Sequence, residues 1–369
     1  MAAAVAPDIG TLHHPATDAG PESPAGGRTT TARLTSLVPG LAAALAVAAA
    51  GTALGRRVPV IGAPVFAIVI GMAVSAFRAP AAALRPGLEF TSKRVLQGSI
   101  VVLGLGLSGH EVLSTGLGSL PVLLGTLAIA LVVAWLAGRA LRLGGDLNTL
   151  IGVGTAVCGA SAIAATDSVI GAEEADVSYA IATIFTFNVV AVLAYPTLGH
   201  LFGLSQHAFG LWAGTAINDT SSVVAASTIY GHAASSYGVV VKLTRTLAIV
   251  PICLGLAALR QRRASRPTPA GIGWAAPPVV SVRRVFPLFI LAFALAVAFN
   301  SLGLVPAGAH RWLSDLATWM ITAALGAIGL STRFRHIRQA GPRPILLGAI
   351  LWATVGVTSL ALQLATGTI

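Results

Sequence analysis

Gly154-Thr-Ala-Val-Cys158-Gly-Ala-Ser161 and Gly214-Thr-Ala-Ile-Asn218-Asp-Thr-Ser-Ser222 lie inside two long apolar runs, residues 147 to 170 and 208 to 230. A continuous membrane helix would carry Leu or Val at those positions. The stretches also resemble each other: 154 to 171 aligns on 214 to 231, sharing Gly-Thr-Ala, then Ser161/Ser221, Ala165/Ala225 and Gly171/Gly231. Unwound backbone survives at membrane depth only where protein or a water-filled cavity satisfies it. A break in a helix exposes N-terminal amides and a positive dipole end that attract anions. Two matching interruptions therefore predict two broken or re-entrant helices around a midplane ligand site. The spacing leaves open whether each segment crosses or re-enters. The bland alternative is that Gly and Ser simply let helices pack closely.

The rest of the chain supports a membrane setting. Of 369 residues, 55% are hydrophobic and 9% charged, where soluble domains carry roughly 25% charge. Apolar runs of about 20 residues, each long enough to cross the roughly 30 Å hydrocarbon layer, alternate with short polar gaps. Eleven segments are expected, near 35–54, 58–77, 92–108, 118–138, 147–170, 177–198, 208–230, 236–258, 286–302, 312–331 and 344–366. The expected fold class is an all-α polytopic membrane protein. Residues 1–33, rich in Ala, Pro, Gly, Thr and Ser, read as a disordered cytoplasmic tail, and 34–369 as the transmembrane domain with a basic linker over 260–284.

Positive charge follows the gaps. With the N-terminus inside, eighteen Lys and Arg fall in cytoplasmic gaps, and only Arg56, Arg57 and Arg311 outside. That bias orients membrane proteins and predicts N-in, C-out, with the acidic gap Glu173-Glu174-Ala175-Asp176 outside. The net charge of +11 thus reads as topology, and nucleic-acid binding is not expected. Residues 106–137 align without gaps on 329–360, sharing among others Gly106/Gly329, Leu107/Leu330, Ser108/Ser331 and Pro121/Pro344. The second copy comes seven segments after the first, an odd displacement, so the two run in opposite directions, the inverted relation common in secondary transporters.

Lys242-Leu-Thr-Arg245 places two cations three residues apart, on one helix face, inside a predicted span. Each such charge costs about 2.5–3.5 kcal/mol near a span centre, so both mark a functional site by default and need an anion. Arg offers a planar fork for an oxyanion and Lys a point charge. The candidate substrate ligands are Lys242, Arg245, Ser161, Thr220, Ser221, Ser222, Asn218, Cys158, Gly159 and Asn188. A structural ion pair with Asp219 or Asp167 is the alternative for the two cations. Asp219, inside the second break, and Asp167, near a segment end, are the candidate coupling carboxylates.

Enzyme signatures are missing: no His-Glu-x-x-His, Gly-x-Ser-x-Gly or Walker A sequence occurs. No cofactor and no metal site are expected. Cys158 and Cys253 both lie in apolar segments, and no disulfide is expected.

Cys158-Gly-Ala-Ser-Ala-Ile163, Ala180-Ile-Ala-Thr-Ile-Phe185 with Asn188 and Pro196, Gly210-Leu-Trp-Ala-Gly-Thr-Ala-Ile217, Asp219-Thr-Ser-Ser-Val-Val-Ala-Ala226 and Val241-Lys-Leu-Thr-Arg-Thr246 with Pro251 together resemble a known family. It is the YeiH-like family of bacterial inner-membrane proteins, often labelled sulfate exporters. The resemblance spans residues 35 to 369 and leaves out the N-terminal tail. It implies a transporter akin to the cation:proton antiporter and anion transporter grouping, with inverted repeats and crossed broken helices. Many members of the family carry His where this chain has Asn218, so a proton-carrying role of that His does not transfer.

The resulting expectation is an inner-membrane secondary transporter of a small anion, sulfate or an organosulfonate or carboxylate, working by alternating access. Its partners would be the anion, the lipid bilayer, a coupling proton or sodium ion and a second copy in a homodimer. Rival readings are an anion channel and an intramembrane enzyme using Ser161 or Cys158 as nucleophile.

Overall fold

The computed structural model describes residues 30–57, 63–78, 80–264, 288–306, 308–332 and 341–369, and among these the regular structure is helical throughout. Residues 1–29 of the expected tail and 265–284 of the expected linker lie outside the described residues; Thr30 already begins a helix.

The helices are α1 (Thr30–Arg57), α2 (Ala63–Phe77), α3 (Arg85–Phe90), α4 (Leu96–Gly104), α5 (Gly109–Ala140), α6 (Gly145–Ala156), α7 (Ala160–Ile170), α8 (Glu174–Leu201), α9 (Gln206–Ala216), α10 (Thr220–Tyr230), α11 (His232–Thr246), α12 (Ile249–Ala264), α13 (Leu288–Ser301), α14 (Ala309–Ser331) and α15 (Pro342–Thr366). A wide π turn, Thr91–Val95, joins α3 to α4. Among the described residues six stretches are long and apolar enough to cross a bilayer: Thr35–Arg57, Gly109–Ala140, Glu174–Leu201, His232–Gln261, Ala309–Ser331 and Pro342–Thr366. Their outer faces carry exposed large apolar side chains such as Leu117, Trp135, Leu193 and Val357, as a lipid-facing surface requires. The chain is a polytopic helical membrane protein.

Local chemistry explains the helix ends. Ser108 and Glu111 form a capping box that starts α5. Pro251 has no N–H and its ring clashes with the carbonyl four residues back, at Leu247; there α11 breaks from α12. Gly71 of α2 and Gly329 of α14 let those helices touch backbone to backbone, since a methyl at either would lie within 2.7 Å of the facing main chain.

Two expected spans are hairpins. Phe209, near the start of α9, stacks on Tyr230, the last residue of α10, with ring centroids 3.8 Å apart. The Gln206 side chain accepts hydrogen bonds from the Ala233 and Ala234 amides at 2.9 and 3.2 Å, closing the same end. A crossing segment of this length would hold its ends more than 30 Å apart, so α9 and α10 fold back on each other. The α6–α7 pair does the same: a methyl at Gly154 would meet the Ile163 side chain at 2.9 Å, and Asp176, just past α7, lies within electrostatic reach of Asp146 at the start of α6.

The hairpins enter from opposite ends. α8 runs the length of the bundle from the end of the first to the start of the second, and α11 with α12 runs back, where Arg260 bonds Asp146 at 2.6 Å. One end, the basic end, gathers the chain reversals at 140–145 and 170–174; the far end gathers those at 201–206 and 230–232. Ser301 accepts from the Gly109 amide at 2.7 Å, which sets the 104–109 and 301–309 turns at the far end as well. The acidic stretch 173–176, expected opposite Arg139 and Arg142, therefore lies at their end. The re-entrant fold of 147–170 is the reason.

Candidate functional site

The hairpin tips meet in the middle of the bundle. α6 ends at Ala156 and α7 begins at Ala160, and the turn between them passes through Gly159 with φ +69° and ψ −131°, a conformation that only glycine adopts readily. α9 ends at Ala216 and α10 begins at Thr220 with Asp219 as its N-cap. A methyl built on Gly159 would sit 3.3 Å from the Asp219 Cβ, so the tips are in contact.

Each tip brings together a helix C-terminus with orphan carbonyls and a helix N-terminus with orphan amides. Lys242 and Arg245 of α11 serve the carbonyls. The Lys242 Nζ donates to the Val157 and Ile217 oxygens at 2.9 and 2.8 Å. The Arg245 Nε donates to the Ala156 oxygen at 2.7 Å, and its two Nη atoms donate to the Thr215 and Thr155 oxygens at 2.5 and 2.8 Å. Both side chains are fully buried. Cations at helix C-termini are favourable against the negative dipole end, and charge-assisted bonds contribute about 1.5–3 kcal/mol each. Among the described residues neither cation has a carboxylate within salt-bridge distance; the carbonyl ends of α6 and α9 take that place.

The amide side differs between the tips. At α10 the Asp219 carboxylate accepts from the Ser221 amide at 3.0 Å and from the Ser221 hydroxyl, while Asn188 of α8 accepts from the Asp219 amide at 3.3 Å. Asn188, Ser221 and Ser222 then line a cavity of about 200 Å³, closed on its other side by Ser92, Ser331 and Thr332. At α7 no side chain caps the first turn, and Ala160 and Ser161 are exposed.

The sequence candidates therefore divide. Cys158, Gly159, Asn218, Asp219, Thr220, Lys242 and Arg245 converge on the tips, and Asn188, Ser221 and Ser222 on the cavity beside them. Cys158 and Asn218 are buried, and the Asn218 Oδ1 has no hydrogen-bond partner among the described residues. Ser161 stands at the open N-terminus of α7. Asp167 is remote from the tips: its carboxylate accepts from the Ala172 amide at 3.0 Å, closing the C-terminal turn of α7 at the basic end. Ser92, Ser331 and Thr332 were missed as cavity residues. Ser331 had a signal in the sequence, since it pairs with Ser108 in the 106–137 and 329–360 alignment.

The model of the family described as Conserved hypothetical protein 698 matches residues 39–348. The chain is 43% identical over 338 residues to a UPF0324 membrane protein of Streptococcus pyogenes serotype M6, covering 89% of this chain and 97% of that one. It is 40% identical to one of Streptococcus agalactiae serotype V, covering 90% and 98%, and 43% identical to one of Streptococcus pneumoniae serotype 4, covering 88% and 96%. These matches take in both hairpins, α11 and the cavity beside the tips, and the chain belongs to the UPF0324 family of membrane proteins, the YeiH-like family.

Proposed function

We propose that the protein is a secondary transporter of a small anion, sulfate or an organosulfonate or carboxylate, that works by alternating access. The observation that carries the reading is the pair of hairpins entering from opposite ends and meeting at Gly159 and Asp219, with a small cavity at the N-terminus of α10 whose otherwise apolar wall carries the Ser92, Ser221, Ser222, Ser331 and Thr332 hydroxyls. Discontinuous helices meeting at mid-depth are how transporters expose amides and dipole ends to substrate without exposing backbone to lipid. Helix bounds repeat at the spacing of the sequence alignment, α7 from Ala160 to Ile170 and α10 from Thr220 to Tyr230. That correspondence, together with the opposite entry of the hairpins, supports an inverted-repeat architecture of nine crossings and two re-entrant hairpins.

In this reading Asn188, Ser221 and Ser222 contact the anion, with Thr220 and Ser161 at the adjoining helix starts. Lys242 and Arg245 stand behind them and hold the carbonyl ends in place, lending positive potential to the seat. Asp219 competes with the anion for the α10 amides, so a proton on Asp219 would free the Ser221 N–H for substrate and couple the two. The basic end faces the cytoplasm of a bacterial cell, with the first helix starting inside, on the bias of Lys and Arg. No enzymatic step is assigned.

The test is a thermal-shift screen of purified protein against sulfate, sulfite, thiosulfate, taurine and small dicarboxylates, since a ligand of the folded state raises apparent stability by mass action. A shift by one class that disappears in Ser221→Ala and Asn188→Ala supports the reading. A shift that survives both substitutions places the anion elsewhere, and no shift with any anion removes the substrate class.

A further inference from the structure

A second cavity, of about 400 Å³, lies at the far end; its wall is largely apolar, and its polar groups are His232, Ser235, Ser236, His310, Ser314 and Thr318 with Thr228. It is built from α11 and α14 with α2, α4 and α10 closing its walls. The His232 Nε2 and the Ser314 hydroxyl are 2.7 Å apart across it. His310 stands in the first turn of α14, where the N-cap is Gly308 and no side chain caps the amides. Among the described residues no carboxylate lines the cavity. Its polar groups are imidazoles and hydroxyls that can donate, beside a positive helix end; a cation would find no carboxylate there.

α10 connects this chamber to the first cavity. Ser221 and Ser222 line one and Thr228 the other, about 9 Å apart along the helix from 222 to 228. Between them Val224 and Ala225 are buried in one apolar cluster with Ile321 and Leu325 of α14 and Ile68 of α2. The two chambers are thus separated by an apolar seal less than two turns thick.

We propose that the far-end chamber is a second anion-binding site, in which His232 and His310 receive a sulfate-like or carboxylate anion at the opposite end of the path from the α10 seat. That the anion is the transported one rests on the transport reading; the charge selectivity of the chamber does not.

The experiment uses Ser236→Cys in the full chain, with the parent protein as blank, because Cys158 and Cys253 are buried. Labelling rates are measured with an anionic methanethiosulfonate (sulfonatoethyl) and a cationic one (trimethylammonioethyl), each relative to a free thiol in solution. The anionic reagent should be favoured several-fold, the preference should fall in His232→Gln/His310→Gln, and sulfate should slow the labelling. Equal or greater reactivity with the cationic reagent overturns the site, and so does a preference unchanged in the double histidine variant. Should the double variant fail to fold, the ratio in Ser236→Cys alone decides. An anionic preference without sulfate protection keeps the anion site and excludes sulfate as its ligand. Failure of the thermal-shift screen with this charge preference intact would remove the proposed substrate class and not the chamber.

Discussion

Gly159 and Asp219 touch where two hairpins from opposite ends of the bundle meet, and the glycine is there because nothing larger fits its backbone. Its φ of +69° with ψ of −131° costs other residues on the order of 1–3 kcal/mol, and an added methyl would press on the Asp219 Cβ at 3.3 Å. Gly159→Ala should lower the melting temperature in detergent by several degrees and weaken anion binding by separating the tips. An unchanged melting temperature and affinity would show that the contact does not position the seat.

Arg245 spans both hairpins through three carbonyls, and Lys242 through two. Each carbonyl left unpaired in the interior costs about 1–3 kcal/mol. Arg245→Ala should therefore destabilise more than Lys242→Ala, and Arg245→Lys should recover only part of the loss, since one ammonium cannot reproduce the planar fork. Thermal unfolding of the three variants in one detergent checks the order. If Arg245→Ala keeps wild-type stability and loses only anion binding, the guanidinium belongs to the substrate and not to the scaffold.

Much of this was legible in the sequence, and the part that was not has a physical cause. The interruptions at 158–161 and 218–222 stand out because Gly, Ser, Asn and Asp replace Leu, and the same offset relates Gly159 to Asp219 and the helix ends Gly171 and Gly231. Lys242 and Arg245 announced themselves as buried cations. Their partners did not, because main-chain carbonyls of Thr155, Ala156, Val157, Thr215 and Ile217 leave no mark in side-chain identity. Re-entry was equally silent: an apolar run of 23 or 24 residues is long enough to cross once or to fold into two half-length helices, and only contacts such as Phe209 on Tyr230 choose.

Asp219 occupies the amide end that the proposed anion would use, so charge on Asp219 and anion binding oppose each other. Removing that charge should raise affinity, by on the order of tenfold for about 1.4 kcal/mol between like charges in a partly buried setting. Asp219→Asn should show this gain, while Lys242 and Arg245 keep their carbonyl partners. Isothermal titration of both proteins with sulfate at one pH reads this directly, and a variant with wild-type affinity would show that Asp219 does not compete for the seat.

The hairpins also fix sidedness in a way that eleven crossings would not. Eleven crossings place Arg142 and His207 on one side and Glu174 on the other, whereas two re-entrant hairpins place Arg142 with Glu174 and put His207 opposite. All three side chains are exposed, so single cysteines at these positions are open to a membrane-impermeant maleimide. Labelling from outside intact cells should reach His207→Cys and spare Arg142→Cys and Glu174→Cys, and inverted vesicles should reverse the pattern. The apolar belt is indifferent to this choice, but the site is not: because the hairpins turn back at mid-depth, the carbonyl ends of α6 and α9 reach the same pair of cations. Labelling of Glu174→Cys from the side opposite to Arg142→Cys would therefore undo both the topology and the tip-to-tip site built on it.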